Sequence, residues 1–310
     1  MSNFPLIVIT GPTAVGKTKL AVAVASAIDG EVINADSRQV YKRMDIGTGK
    51  DLEEYDINDK SIPYHLINIC EPGYKYNIKE YQEDFSAVYE SLKNQHIPAV
   101  LCGGSGLYIE SAIEGNPFAF VPINPSLRAE LADESKSKLL GLISDEIIEQ
   151  LNITTLTTTK RLIRAIEISE YKKNNTSEKT KVEKRKAIIF AINLDRTKVM
   201  ERILIRLKQR LKNGLVEEVE GLLSEGLTPE QLLYYGLEYR WVTMYILKEM
   251  TYDEMFERLN ISIRQFAKRQ MTWFRRMEKK GYELIWLDGS KSIDELKNQV
   301  LSEINSRQGI

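Results

Sequence analysis

This sequence predicts an α/β fold: a three-layer core around a parallel sheet, interrupted by a helical insertion and followed by further helices. Three observations carry the expectation. An apolar β-type run, Leu6-Ile7-Val8-Ile9-Thr10, leads into Gly11-Pro12-Thr13-Ala14-Val15-Gly16-Lys17-Thr18, and a helix-type run from Lys19 to Ile28 follows. Strand-like and helix-like segments then alternate, the pattern of a parallel sheet whose loops gather at the strands' C-terminal ends. Near Pro117 the pattern turns to amphipathic helices, and apolar strand-like runs return near 187–194 and 283–287.

The segment from Gly11 to Thr18 is a complete phosphate-binding loop in the strand-and-helix context that such a loop requires. Its glycines let backbone N–H groups curl around a diphosphate, Lys17 adds a point charge, and Thr18 can offer its hydroxyl to Mg²⁺. The helix beginning near Gly16 adds the positive end of its dipole. The same loop serves ATP and other nucleotides, so the identity of the diphosphate stays open at this point.

The remaining elements follow in order. Glu31-Val32-Ile33-Asn34-Ala35-Asp36 reads as a short strand ending in a carboxylate, followed by a Gly-, Asp- and Tyr-rich connection from Tyr41 to about Tyr76. A helix pattern over Ile78 to Lys93 precedes the strand Ile97-Pro98-Ala99-Val100-Leu101-Cys102. Residues 126–172 read as helices with polar faces, and Tyr171 to Lys186 as an exposed basic loop. Ala187 to Leu194 reads as a buried returning strand, Lys198 to about Lys280 as long helices, and Glu283 to Leu287 as a last strand. The expected organisation is therefore a P-loop core over 1–116 completed by strands near 187–194 and 283–287, a helical insertion over 117–186, and a helical part over 197–282.

Composition sets bounds. The balance of 43 Lys+Arg against 44 Asp+Glu means that any nucleic-acid role must come from local clusters of cations. Two cysteines, Cys70 and Cys102, each in an apolar run, suit reduced thiols in a cytoplasmic protein. With only His65 and His96, histidine-based metal or triad chemistry has little material. The N-terminal residues lack a basic signal-peptide start, and no apolar stretch is long enough for a bilayer, so no membrane role is expected.

Three constellations surround the loop. Asp36-Ser37-Arg38-Gln39-Val40-Tyr41 follows the second strand on the loop's edge of the sheet, where Asp36 can be a general base, a carboxylate behind Mg²⁺, or a turn residue. Gly103-Gly104-Ser105-Gly106-Leu107-Tyr108 stands where an ATPase would place a metal-holding Asp, and offers a close backbone approach to a ligand or a plain tight turn. Ile263 to Arg276 is a basic helix in which Arg264, Lys268 and Arg275 share helical spacing and Phe266, Trp273 and Phe274 interleave; it can hold phosphates and stack bases, or bury its aromatics in the ordinary way.

In order, these segments resemble the tRNA dimethylallyltransferases, also called tRNA isopentenyltransferases. The resemblance runs from Gly11 to about Arg276. It includes Asn34 to Lys42, Met44-Asp45-Ile46-Gly47-Thr48-Gly49-Lys50, Gly103 to Tyr108, Lys160-Arg161-Leu162-Ile163-Arg164-Ala165-Ile166-Glu167 and the basic helix. It implies transfer of a five-carbon prenyl group from dimethylallyl diphosphate, with Mg²⁺, to N6 of the adenosine 3′ of the tRNA anticodon. The diphosphate is then the leaving group. Asp36 would accept the N6 proton, Lys17 and Ser105 would assist, and Thr13 would line the donor pocket. Ser37, Arg38 and Gln39 would touch the target base and its neighbours. Arg128, Lys160, Arg161, Arg164, Lys268 and Arg269 would grip the anticodon loop's backbone.

Departures from the family pattern lie away from the loop. Leu156-Thr157-Thr158-Thr159 stands where many bacterial members have His-Pro-Asn-Asp, and Gly236-Leu237-Glu238-Tyr239-Arg240 lengthens a compact Gly-Tyr-Lys/Arg element. No Cys/His-rich tail follows, so no zinc is expected, and a monomer is. The competing readings are an adenylate isopentenyltransferase acting on free AMP or ADP, a P-loop kinase or ATPase, and a non-enzymatic RNA-binding relative.

Overall fold

In the computed structural model, residues 4–57, 60–151, 158–175 and 184–308 are described. Contacts divide the chain into two compact units, Met1–Ile113 with Lys184–Ile310, and Glu114–Glu183.

The first unit is built on a six-stranded sheet with the order β5-β2-β6-β1-β7-β8. Its members are β1 (Leu6–Thr10), β2 (Glu31–Asn34), β5 (Tyr64–His65), β6 (Ala99–Gly103), β7 (Ala187–Asn193) and β8 (Leu284–Asp288), and every pairing is parallel. The short pieces β3 (Asp56–Ile57) and β4 (Lys60–Ser61) pair only with each other. Leu6, Ile7, Val8 and Ile9 are all fully buried, as a continuous apolar run covered on both sheet faces requires. The edge strand β5 falls inside the Tyr41–Tyr76 connection, where two residues are too few to show a period.

Helix α1 (Lys17–Ala27) starts two residues before the expected Lys19, with Gly16 at its N-cap. Helices α2 (Ile78–Asn94) and α3 (Gly106–Glu114) flank β6. The second unit comprises α4 (Pro125–Glu130), α5 (Lys136–Gly141), α6 (Asp145–Leu151) and α7 (Thr159–Asn174), packed around Leu139, Ile147, Leu162 and Ile166. The Tyr171–Lys186 stretch is not all loop: Tyr171 to Asn174 continue α7, and residues 176–183 lie outside the described residues. Of the Leu156–Thr159 departure, 156 and 157 likewise lie outside them, while Thr158 caps α7 by accepting the Arg161 N–H.

After β7 come α8 (Arg196–Lys212), α9 (Leu215–Ser224), α10 (Pro229–Leu232), α11 (Leu237–Ile246) and the 28-residue α12 (Tyr252–Lys279). Thr251 and Glu254 close a capping box at the start of α12. Its buried stripe is Met255, Leu259, Ile263, Ala267, Gln270, Phe274 and Met277, a run of i+3 and i+4 steps with one polar member. A final helix, α13 (Ile293–Gln308), follows β8.

Candidate active site

The phosphate-binding loop leaves the C-terminal end of β1, between β6 and β7. Gly11 has φ 148°, and a Cβ there would come within 2.8 Å of the Ile192 carbonyl oxygen, so no larger residue fits. Lys17 folds back and donates its Nζ to Pro12 O at 2.7 Å. Burial pushes the Lys17 ammonium down to about 8, against the pull of nearby Cys102, and the Arg206 charge pushes the same way as burial. An anion bound beside this lysine would favour its charged form and raise the pKa again.

A cavity of about 860 Å³ opens beside the loop, lined among others by Lys17, Thr18, Glu54, Arg206 and Arg210. Arg206 pairs with Asp51, and Arg210 approaches Glu238 at 3.4 Å. Burial lowers the Arg210 pKa from its ordinary value, and its Nε has no hydrogen-bond partner. Burial raises the Glu54 carboxyl from its ordinary value. Both arginines were legible as an i, i+4 pair on a helical segment, yet nothing local aimed them at the loop.

Asp36 sits just past the end of β2 in an Asx turn. Its Oδ1 accepts the Arg38 N–H at 2.9 Å, and its own N–H donates to Asn34 Oδ1 at 2.9 Å. Asn34 Nδ2 also donates to Asp36 O and Leu66 O, both at 3.0 Å. Ser105 joins this turn: its Oγ accepts the Ser37 N–H at 3.2 Å and its N–H donates to Ala35 O at 3.2 Å. The structure thus brings Asp36, Ser37 and Ser105 together. Gln39 turns away, donating Nε2 to Gly49 O at 2.9 Å, and Arg38 lies over the ring of Tyr234.

The glycines around Ser105 make room for protein, a correction to the reading that they approach a ligand. A Cβ on Gly103 would strike Ala35 O at 2.2 Å, one on Gly104 would strike Gln270 Nε2 at 2.2 Å, and one on Gly106 would strike Trp273 at 2.1 Å. Gln270 explains the fit. Its Oε1 accepts the Thr13 N–H at 2.9 Å while its Nε2 donates to Gly104 O at 3.0 Å, so one buried amide ties the phosphate loop to the Ser105 turn. The signal that could have found it is a glutamine on an otherwise apolar helix stripe. Glu218 is a second missed residue. Its carboxylate accepts the N–H groups of Asp45, Ile46 and Gly47 at 2.7–2.9 Å and the Tyr239 hydroxyl at 2.7 Å, fixing a loop that borders the cavity.

The basic helix divides by face. Lys268 and Arg269 are exposed, with Arg269 5.9 Å from the Phe266 ring centroid. Phe274 is wholly buried, and Trp273 donates Nε1 to Glu110 at 2.8 Å, so two of the three interleaved aromatics belong to the core.

In the second unit Lys160 and Arg161 are exposed. Arg164 and Arg128 instead converge on Glu167, which is 3 % exposed. Arg128 donates Nε at 2.7 Å and Nη2 at 2.9 Å, Arg164 Nη1 donates at 2.9 Å, and the Asn124 N–H adds a contact at 2.9 Å. Arg164 Nη2 also donates to Phe118 O at 2.9 Å and Val121 O at 2.7 Å. Burial alone would raise the Glu167 carboxyl, but these arginine and backbone donors hold it below its ordinary value. The Arg164 guanidinium is occupied inside its own unit, which counts against the expectation that it grips phosphates.

Sequence and fold comparisons agree with this layout. The family profile described as IPP transferase matches residues 39–277. The chain belongs to the IPP transferase family. A second profile, isopentenyl transferase, matches only residues 4–60. Among relatives of this IPP transferase, tRNA dimethylallyltransferase 2 of Bacteroides fragilis is 49% identical over 304 residues, covering 98% of this chain and 99% of that one. tRNA dimethylallyltransferase 1 of Parabacteroides distasonis is 48% identical over 95% of this chain and 96% of its own. The crystal structure of the tRNA isopentenylpyrophosphate transferase of Bacillus halodurans superposes with a TM-score of 0.71 at 27% identity, covering 99% of this chain and 98% of that one. The corresponding Staphylococcus epidermidis enzyme gives 0.70 at 28% identity, over 97% and 99%. Among the described residues, no helix is long and apolar enough to cross a membrane.

Proposed function

We propose that this chain transfers the dimethylallyl group of dimethylallyl diphosphate to N6 of the adenosine 3′ of the anticodon in tRNA. The observation that carries the reading is the turn uniting Asp36 and Ser105 beside the phosphate loop, in a chain similar along nearly its full length to tRNA dimethylallyltransferases. The Gly11–Thr18 loop and Lys17 bind the donor's diphosphate, with Arg206 and Arg210 lining the same cavity. As the allylic C–O bond breaks, negative charge grows on the diphosphate, so fixed N–H and cationic donors stabilise the transition state more than the ground state.

The attacking N6 amine must lose its proton as the new C–N bond forms. In this reading Asp36 accepts it, with its Asx turn restraining the carboxylate, a contribution of ~10²–10⁴ in rate for a general base. The Ser105 hydroxyl, which accepts the Ser37 N–H, assists in this reading.

The fit to Mg²⁺ rests on the donor set. Thr18 lines the cavity beside Lys17, and its hydroxyl is an oxygen donor of the kind Mg²⁺ would take together with diphosphate oxygens and water. Bound there, Mg²⁺ would supply neutralisation of charge on the leaving group.

Lys160, Arg161, Lys268 and Arg269 hold tRNA phosphates in this reading, and Arg128 and Arg164 hold the insertion in shape. Free AMP or ADP as acceptor would leave the insertion without a task, and the near-full-length similarity to tRNA dimethylallyltransferases favours prenyl transfer over a kinase reaction. Incubation with tRNA, dimethylallyl diphosphate and Mg²⁺, followed by mass spectrometry of digested nucleosides, tests the proposal. N6-isopentenyladenosine is expected, ATP does not replace the donor, and steady ATP hydrolysis without prenyl transfer would overturn it.

A further inference from the structure

Next to the candidate base lies a pair that the reaction above leaves unused. The Arg38 guanidinium carbon stands 5.2 Å from the centroid of the Tyr234 ring, and the same Arg38 gives its backbone N–H to Asp36. Tyr234 is 43 % exposed, a large aromatic surface left open at this place. Its back is not open. The ring meets Tyr235 edge-on at 5.5 Å, and Tyr235, itself buried, meets Tyr41 at 4.6 Å and 68°. The Tyr235 hydroxyl accepts the Gly73 N–H at 2.5 Å and donates to Tyr74 O at 3.2 Å. A ladder of rings therefore runs from the core to the surface and ends in an open tyrosine with a planar cation across it.

A rigid ring with an arginine plane beside it is what an unstacked base seeks, because every base has a π-face and the ordering cost of the protein side has already been met. Single-stranded tRNA loop bases are recognised largely in this way once they leave their stack. We infer that Tyr234 and Arg38 form the stacking platform for the nucleobase flanking the target adenosine, so that Tyr234 positions the RNA over Asp36. This rests on the tRNA reading above and adds a residue to it. Tyr234 stands two residues before Gly236, where the departure from the family pattern begins.

The test uses the full chain, an anticodon stem-loop RNA, and the same RNA with an abasic nucleotide 5′ or 3′ of the target. Tyr234→Ala should raise the KM for RNA roughly 10- to 100-fold with the donor KM unchanged, and Tyr234→Leu should do the same by keeping bulk without a π-face. Tyr234→Phe should recover most of the loss. At one flank, the abasic RNA should cost the native chain a similar factor and cost Tyr234→Ala nothing further. An unchanged RNA KM in the Ala and Leu variants, abasic penalties that add in full at both flanks, or an equal rise in the donor KM would each overturn the platform. If the native chain transfers no prenyl group to any tRNA, the functional reading itself fails and the platform with it.

Discussion

Gln270 holds Thr13: the glutamine's Oε1 accepts the threonine's backbone N–H at 2.9 Å across 257 positions of sequence. The bond fixes the middle of the phosphate loop from outside the loop, and the other end of the same amide fixes Gly104. Replacing Gln270 by Ala strands a half-buried N–H and a buried carbonyl, the latter alone costing about 1–3 kcal/mol. A loop displaced by even an ångström can slow turnover ~10²-fold. Gln270→Ala should therefore lower kcat and raise the donor KM while tRNA affinity, measured by filter binding, stays near native. Loss of tRNA affinity alone would contradict the tie.

Asp36→Asn keeps an Oδ1 that can accept the Arg38 N–H, so the Asx turn survives the change. The variant should lose turnover by roughly 10²–10⁴ with the RNA Kd little altered. Single-turnover kinetics beside RNA titration separate the two, and parallel loss of both would reduce Asp36 to a turn residue.

Lys17 gives a pH signature. Its free-state pKa is lowered to about 8 by burial, and a bound diphosphate would raise it again. Donor binding should accordingly take up little proton near pH 6 and close to one proton above about pH 9, with affinity falling as pH climbs through 8. Calorimetry in buffers of different ionisation enthalpy reads the uptake directly. Lys17→Met should abolish it, and a native protein that binds donor with no uptake at pH 9 would remove Lys17 from the diphosphate.

Glu167 predicts where acid strikes the second unit. Its folded pKa lies below the unfolded value, so the stabilisation is complete above the ordinary carboxylate range and is lost as pH falls through the folded pKa. Glu167→Gln should destabilise the unit by about 1.5–3 kcal/mol at pH 7, and the difference from native should shrink toward pH 3. Thermal melts at both pH values provide the check.

The exposed and occupied cations should part company in salt. Lys160→Ala, Lys268→Ala and Arg269→Ala should each flatten the dependence of log K on log salt by about one. Arg164→Ala should lower the melting temperature with its slope unchanged. A slope change in Arg164→Ala equal to that of Lys268→Ala would return it to the RNA surface.

The features readable from the sequence were those written in adjacent residues. The loop with its strand and helix, and the parallel strands 187–194 and 283–287, depend on local periodicity and turn chemistry, and the sheet contains them. What escaped depends on contacts made at a distance. Gln270, Glu218, Arg206 and Arg210 acquire meaning only when α8, α9 and α12 pack beside the loop, and Arg164 looked like a surface cation until Phe118 O, Val121 O and Glu167 surrounded it. The glycines 103, 104 and 106 were visible, but what packs against them is distant in sequence: Ala35 for Gly103, and Gln270 and Trp273 of α12 for Gly104 and Gly106.

The Gln270 amide also fixes a sequence of events. The ribosome makes Thr13 at the outset and the residue that seats it only after most of the chain has emerged. A nascent chain ending before α12 carries every residue of the loop and the Asp36 turn, yet the Thr13 N–H and the Gly104 carbonyl have no partner. The tie between the phosphate loop and the Ser105 turn is thus made late in synthesis, when the helix bearing Lys268 and Arg269 docks, so a donor seat of the kind proposed and that basic surface would be completed together.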